Sequence, residues 1–136
     1  MPFSEAEKNV MLDAFPVHDV GYPNEQALFM CLHHGDPGKS GQNNEISSQT
    51  DYAWLDGRIE AADLDAAASA QRVVNKDIAY NISGGLGDDS TIAWVVIEDS
   101  ANFPIVKTKL ATQIYFEVDG QLIFQAGQGI TLSLID

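Results

Sequence analysis

His33, His34 and Asp36 are the residues of this 136-residue chain best suited by type to hold a metal ion, because imidazole nitrogen and carboxylate oxygen can share a divalent cation. Their spacing argues against it. Neighbouring residues of a strand point to opposite faces, so His33 and His34 do not converge on one ion, and His18 would have to arrive from elsewhere. A histidine bonding the turn backbone is the expected use. Asp88, Asp89, Glu98 and Asp99 offer hard oxygen atoms for calcium but lack the alternating ligand spacing of an EF-hand loop, and they read as solvated charge. Gly38-Lys39-Ser40 matches the end of a phosphate-binding loop. The motif fails because His33 stands where an earlier glycine is needed and Gly41-Gln42-Asn43-Asn44 is a poor helix start. No Gly-x-Ser-x-Gly elbow, His-Glu-x-x-His pair or nucleophile with a local base is present, so the chain reads as non-enzymatic, with no cofactor and no metal. Trp54, Trp94, Tyr22 and Tyr115 could build an aromatic platform for a sugar or a partner. Trp54, between Asp51 and Asp56, reads as the exposed anchor of that set, and Trp94 as core.

The elements that must position these residues are mostly strands. Ser4-Glu5-Ala6-Glu7 is a capping box that should open a helix over residues 4–15, stopped by Pro16. Ala6, Val10 and Ala14 recur on it at helical spacing beside Phe3 and Met11. That helix either covers one end of the core or grips a neighbouring subunit through Phe3, Val10 and Met11. Residues 27–33 form an apolar run bounded by turns, and residues 92–98 are apolar on both parities, as in a strand buried on two faces. Residues 73–82 read as one strand with Ile78, Tyr80 and Ile82 on one side. Residues 83–89, rich in glycine, read as a mobile surface loop. Val118-Asp119-Gly120 signals a hairpin joining Ile114-Tyr115-Phe116 to Leu122-Ile123-Phe124. Ile130, Leu132 and Leu134 share one face of a closing strand. Residues 60–71, with six alanines, have high helix propensity.

Composition narrows the functions. The chain is long enough for one domain, taken as residues 1–136, with a helical segment over 1–16 and a β-sandwich over 27–136. Its 20 acidic and 7 basic residues leave a formal charge of −13, which disfavours nucleic acid and anionic membrane surfaces as partners. Cys31 is the only cysteine, so no intrachain disulfide forms, and its apolar neighbours mark it as a small packed hydrophobe. The first residues lack a signal-peptide pattern and no stretch is long and apolar enough to span a bilayer, so a cytoplasmic place of synthesis is expected.

Leu32-His33-His34-Gly35-Asp36-Pro37-Gly38, followed by Gly41 and Asn44-Glu45-Ile46, carries both a turn and a resemblance. Pro37 presets φ for the turn, Asp36 can accept from the amides that follow, and Gly38 supplies the positive φ. The segment resembles a signature of small tailed-bacteriophage virion proteins of the tail fibre type, in which a strand runs into Leu-His-Thr-Gly-Asp-Pro-Gly and then a Gly-Ala-Asn-Glu-Val-like stretch. His34 stands where that pattern has threonine, and Gln42-Asn43-Asn44-Glu45-Ile46 replaces a shorter loop. Residues 92–99, 104–110 and 120–134 are similar to later strands of the same family, while its Tyr-Ala-Arg-Gln segment is present only as Tyr52-Ala53-Trp54-Leu55.

The resemblance implies a loop leading into a strand over residues 60–71, which is the reading followed here, with an extra helical turn as the alternative. It also implies a virion component, tail fibre, tail tip or capsid decoration, bound to other capsid or tail subunits. Together with the strand pattern it gives a mainly β fold: an antiparallel, jelly-roll-like sandwich with one short N-terminal helix. A homo-oligomer, for example a trimer, follows from the symmetry of such particles. The partner-binding candidates are Phe3, Val10, Met11 and Trp54. The competing function is a receptor- or carbohydrate-binding module centred on Trp54.

Overall fold

The computed structural model describes residues 3–14, 27–46 and 49–133. The chain is mainly β, with antiparallel sheets and one short N-terminal helix, as the strand pattern predicts. Its elements are α1 (Glu5–Ala14), β1 (Leu28–His33), β2 (Arg58–Ile59), β3 (Gln71–Val73), β4 (Ile78–Ile82), β5 (Thr91–Glu98), β6 (Pro104–Tyr115), β7 (Gly120–Phe124) and β8 (Thr131–Ser133). They gather into two compact units. One comprises Met1–Ala27, Ile59–Ile78 and Ile123–Asp136, and the other Leu28–Arg58 and Ala79–Leu122.

In the first unit the capping box forms as written in the sequence. The Glu7 amide donates to Ser4 Oγ at 3.1 Å and the Ser4 amide to Glu7 Oε1 at 3.4 Å. Leu12 faces inward and is buried, while Asn9 Oδ1 accepts from the Ala70 amide at 2.9 Å and Arg72 Nη1 donates to the Leu12 carbonyl at 3.2 Å. Those bonds fasten α1 to the β3 end of the unit. The alanine-rich stretch forms a single 3-10 turn at Ala61–Asp63 and then a hairpin instead of a longer helix. Ala68 and Gln71 exchange backbone hydrogen bonds at 2.9 Å around Ser69 and Ala70, whose φ angles are +52° and +56°. Positive φ at both central residues defines a primed hairpin turn, here built without the usual asparagine or glycine. The Asn9 side chain holds the Ala70 amide in that conformation.

The single strand expected over residues 73–82 is broken. Val74 donates to the Ile130 carbonyl and Asn75 to that of Asp63, drawing the chain off the β3 line before β4 begins at Ile78. β3 pairs with β8, Arg72 opposite Leu132, and Leu64, Val74 and Ile130 complete a buried apolar cluster with Leu12. Leu134 lies outside the described residues.

The second unit is organised by a sheet of order β2-β1-β5-β6. β5 runs antiparallel to both neighbours, Cys31 opposite Val96 on one side and Lys107 opposite Val96 on the other. All six residues of β1 are buried, as a central strand with both faces covered requires. β6 closes one edge with no buried residue. β4 pairs with β7 in a separate two-stranded sheet.

That last pairing corrects the hairpin expected between residues 114–116 and 122–124. Ile114 and Tyr115 stand opposite Ile92 and Thr91 of β5 instead. The Asp-Gly signal is used differently: Asp119 Oδ1 accepts from the Gly84 amide at 2.9 Å, and Gly84 packs directly on the Val118 backbone, leaving no room for a β-carbon. The glycine-rich stretch read as a mobile loop is likewise tied down. Gly85 donates to the Phe116 carbonyl, Leu86 to Ser90 Oγ, and the Ser90 hydroxyl to the Ser83 carbonyl.

Candidate functional site

The Asp-Pro-Gly segment is a corner that bonds to itself. The Gly38 amide donates to Asp36 Oδ1 at 2.8 Å, Gly38 has φ of +70°, and Asn44 Nδ2 donates to the Asp36 carbonyl at 2.8 Å. The His34 amide then donates to the Asn44 carbonyl and the Ile46 amide to that of Leu32, so the returning chain runs antiparallel to the last residues of β1, with Glu45 opposite His33. Gly41, at φ +71°, passes so close to Pro104 that a β-carbon would sit 2.5 Å from the proline ring. The corner therefore seats on the sheet face that carries Cys31 and His33 of β1, Trp94, Val96 and Glu98 of β5, and Lys107 and Lys109 of β6.

Beneath it lies a polar cluster. His33 is 1% exposed, and its Nδ1 is 2.7 Å from the Asn43 carbonyl. A carbonyl only accepts, so Nδ1 donates, and among the described residues buried Nε2 has no hydrogen-bond partner. Glu98 is 4% exposed. Its Oε1 accepts from the Cys31 thiol at 3.5 Å and its Oε2 from Gln42 Nε2 at 2.8 Å, and Gln42 also donates to the Asn102 carbonyl. The Tyr52 hydroxyl donates to Glu45 Oε2 at 3.0 Å and accepts from the Leu32 amide at 3.1 Å. The Tyr80 hydroxyl, fully buried, donates to the Met30 carbonyl.

Burial and neighbouring charge hold Cys31, Tyr52 and Tyr80 protonated. Burial, then the Glu45 and Glu98 carboxylates, pushes the Cys31 thiol far above its usual range. Burial also raises Tyr52 and Tyr80, with further contributions from Cys31 and Glu45. A reactive thiolate needs the opposite surroundings. Cys31 thus packs as the small hydrophobe its neighbours in the sequence suggest, with one weak hydrogen bond added.

The remaining candidates separate. His33 and His34 do not share a site: His33 is committed to the corner backbone, as expected, and His34 is partly exposed. His18 and Tyr22 lie outside the described residues. Among the described residues no three His, Cys, Asp or Glu side chains are grouped to hold a metal ion. Asp88 and Asp89 precede β5 while Glu98 ends it, so an eight-residue strand, about 25 Å long, keeps them apart. Asp99 Oδ1 instead accepts from the Ala101 and Phe103 amides. Lys39 is exposed, and no helix follows Ser40, whose hydroxyl oxygen accepts from the Gln42 amide.

Among the described residues, Trp54, Trp94 and Tyr115 do not form a platform. Trp54 packs edge-on to Phe29, centroids 4.8 Å apart, at the Glu98 end of β5, whereas Tyr115 stands opposite Thr91 at the other end. Trp94 is half-buried between them rather than core. Trp54 keeps 39% of its surface exposed, as expected of an anchor.

α1 presents the clearest outward apolar surface. Val10 is 71% exposed, Phe3 47% and Met11 39%. An open depression of about 340 Å³ is lined by Ala6, Glu7, Val10 and Met11. A second feature escaped the sequence reading: Lys107 Nζ donates to the Gly38 carbonyl at 2.8 Å, which brings Lys39, next in the chain, toward Lys107 and Lys109. Two lysines at alternate positions of a strand were the signal for it. No protein-family model matches the chain, and no curated protein matches it.

Proposed function

We propose that this chain is a non-enzymatic structural component of a tailed-phage particle, attached as a tail-fibre, tail-tip or capsid-decoration subunit through protein–protein contacts. The observation that carries the reading is the outward side of α1. The helix is fastened through Leu12 and Asn9, yet it leaves Val10, Met11 and Phe3 facing away from that anchorage. Burying Val10 and Met11 against a partner would supply about 1.5–3 kcal/mol per side chain, enough for a few such contacts to hold a subunit on a lattice. The resemblance of the corner to the virion signature supplies the partner class, and the bond of His33 to the corner backbone, with Cys31, Tyr52 and Tyr80 held protonated, suits a structural corner.

The test is incorporation. Val10→Asp with Met11→Asp should leave the melting temperature within a few degrees of wild type, because both side chains are exposed, while abolishing recovery of the protein with purified particles in a complementation assay. Normal incorporation of the folded double variant would refute the reading. Saturable binding to a glycan array that is lost in Trp54→Ala would favour a carbohydrate-binding module instead.

A further inference from the structure

β6 is the terminal strand of its sheet, and none of its residues is buried. In an antiparallel ladder alternate residues aim N–H and C=O at the neighbour, and the others aim outward. Among the described residues, those outward groups of β6 have no backbone partner beyond β5. An unpaired row of this kind is a template for an added strand. Its regular part is short. The register moves from Trp94 opposite Lys109 to Ile92 opposite Ile114, and slips again between Ile97 opposite Val106 and Glu98 opposite Pro104, so the straight edge is residues 106–109.

The charge on this edge runs against that of the whole chain. The protein carries 20 acidic and 7 basic residues, yet residues 100–116 contain no acid and two lysines. Lys107 and Lys109 lie on one face, about 7 Å apart along the strand. The bond from Lys107 Nζ to the Gly38 carbonyl brings the backbone of Lys39, next in the chain, beside Lys107. The carboxylates nearby are engaged: Asp36 accepts from the Gly38 amide, and buried Glu98 from Gln42 and Cys31. A second copy of β6 would set lysines against lysines. An acidic strand would set carboxylates at alternate positions opposite Lys107 and Lys109, the favourable cross-strand arrangement.

We propose that the β6 edge around residues 106–109 accepts an extended acidic segment of a partner protein as an additional strand. This surface is separate from the α1 face, so the two can fail independently.

The test uses the full chain and two capped synthetic peptides of equal length, one alternating Glu and Val, the other Lys and Val. On titration the Glu-Val peptide should bind and slow exchange of alternate β6 amide protons, those not already protected by β5. Lys109→Glu should weaken it about tenfold, and raising the salt should weaken it further. Four results would overturn the proposal: no binding of the Glu-Val peptide at millimolar concentration, equal binding of the Lys-Val peptide, binding without new protection in β6, or dimerisation through β6 in place of peptide binding. The Lys-Val comparison decides the matter even if the Lys109→Glu variant folds poorly.

Discussion

Cys31, Tyr52 and Tyr80 each hold a proton more tightly in the folded chain than in the unfolded one, and this makes the second unit sensitive to alkali. The usual thiol value is 9.0 and the usual phenol value 10.0; all three groups are raised well beyond these, by burial first and then by one another and the neighbouring carboxylates. A folded state that keeps protons the unfolded state releases loses stability as pH rises, so these groups cost nothing below about pH 8 and act above the unfolded values. At about pH 11 the thiol contributes a loss of about 3 kcal/mol and each phenol about 1, together on the order of 5 kcal/mol. That is comparable to the whole stability of many domains, about 5–15 kcal/mol. Urea unfolding followed by circular dichroism, in steps from about pH 7 to pH 11, should show the midpoint constant at first and then falling steeply. Phenolate absorbance from Tyr52 and Tyr80 should develop only together with unfolding. In Cys31→Ala combined with Tyr52→Phe, the loss at about pH 11 should shrink to about 1 kcal/mol. Native circular dichroism at about pH 10.5 with every phenol ionised would refute the reasoning, as would an unchanged slope in the double variant.

Glycine substitutions separate conformational strain from steric conflict. Gly127 and Gly41 have φ of +74° and +71°, but a β-carbon meets nothing at Gly127 and the Pro104 ring at Gly41. Gly127→Ala should cost about 1–2 kcal/mol by chemical denaturation and Gly41→Ala clearly more; equal losses would mean that the corner is not seated on Pro104. Gly57→Ala should be among the most damaging changes in the chain, because its β-carbon would collide with the Met30 carbonyl and the Tyr80 hydroxyl; a fall in melting temperature no larger than that of Gly127→Ala would contradict this. Tyr80→Phe, which leaves the buried Met30 carbonyl without that donor, should cost about 1–3 kcal/mol in the urea midpoint.

The parts legible in the sequence are those whose bonds close within a few residues. Ser4 and Glu7 cap each other three positions apart, and Asp36 turns the corner by accepting from Gly38 two positions on. β1 was legible because an unbroken apolar run bounded by turns has few other uses. What was not legible depends on partners far away in the chain. Asp119-Gly120 satisfies a local hairpin rule, but Gly84 takes the Asp119 carboxylate from 35 positions away. The alanine-rich stretch has the propensity for a helix, yet Asn9 captures the Ala70 amide 61 positions away and the chain turns there. Propensity is worth a few tenths of a kcal/mol per residue, and such captures overrule it. Of the candidate site, the exposure of Phe3, Val10, Met11 and Trp54 follows from pattern, whereas the bond from Lys107 to the Gly38 carbonyl depends on where the corner lands.

The corner links the buried chemistry to the exposed edge. Glu98 ends a strand otherwise apolar from Ile92 onward, and an ionisable group so buried needs bonding partners supplied to it. Gln42 meets that need from the corner, and Cys31 adds a weak donor from β1. The same loop offers the Gly38 carbonyl to Lys107, drawing that ammonium back over the sheet and leaving Lys109 the lysine of β6 with the freest approach from solvent. A bulge and lysines on an edge strand both discourage pairing with a like edge. On a chain with a charge of −13, those lysines also give β6 the opposite sign to most of the surface. The features that keep β6 from pairing with its own kind are therefore the ones that select an acidic strand, and Lys109→Glu should weaken both restraints at once: β6 edges of two copies would then repel less, and the Glu-Val peptide would lose its hold.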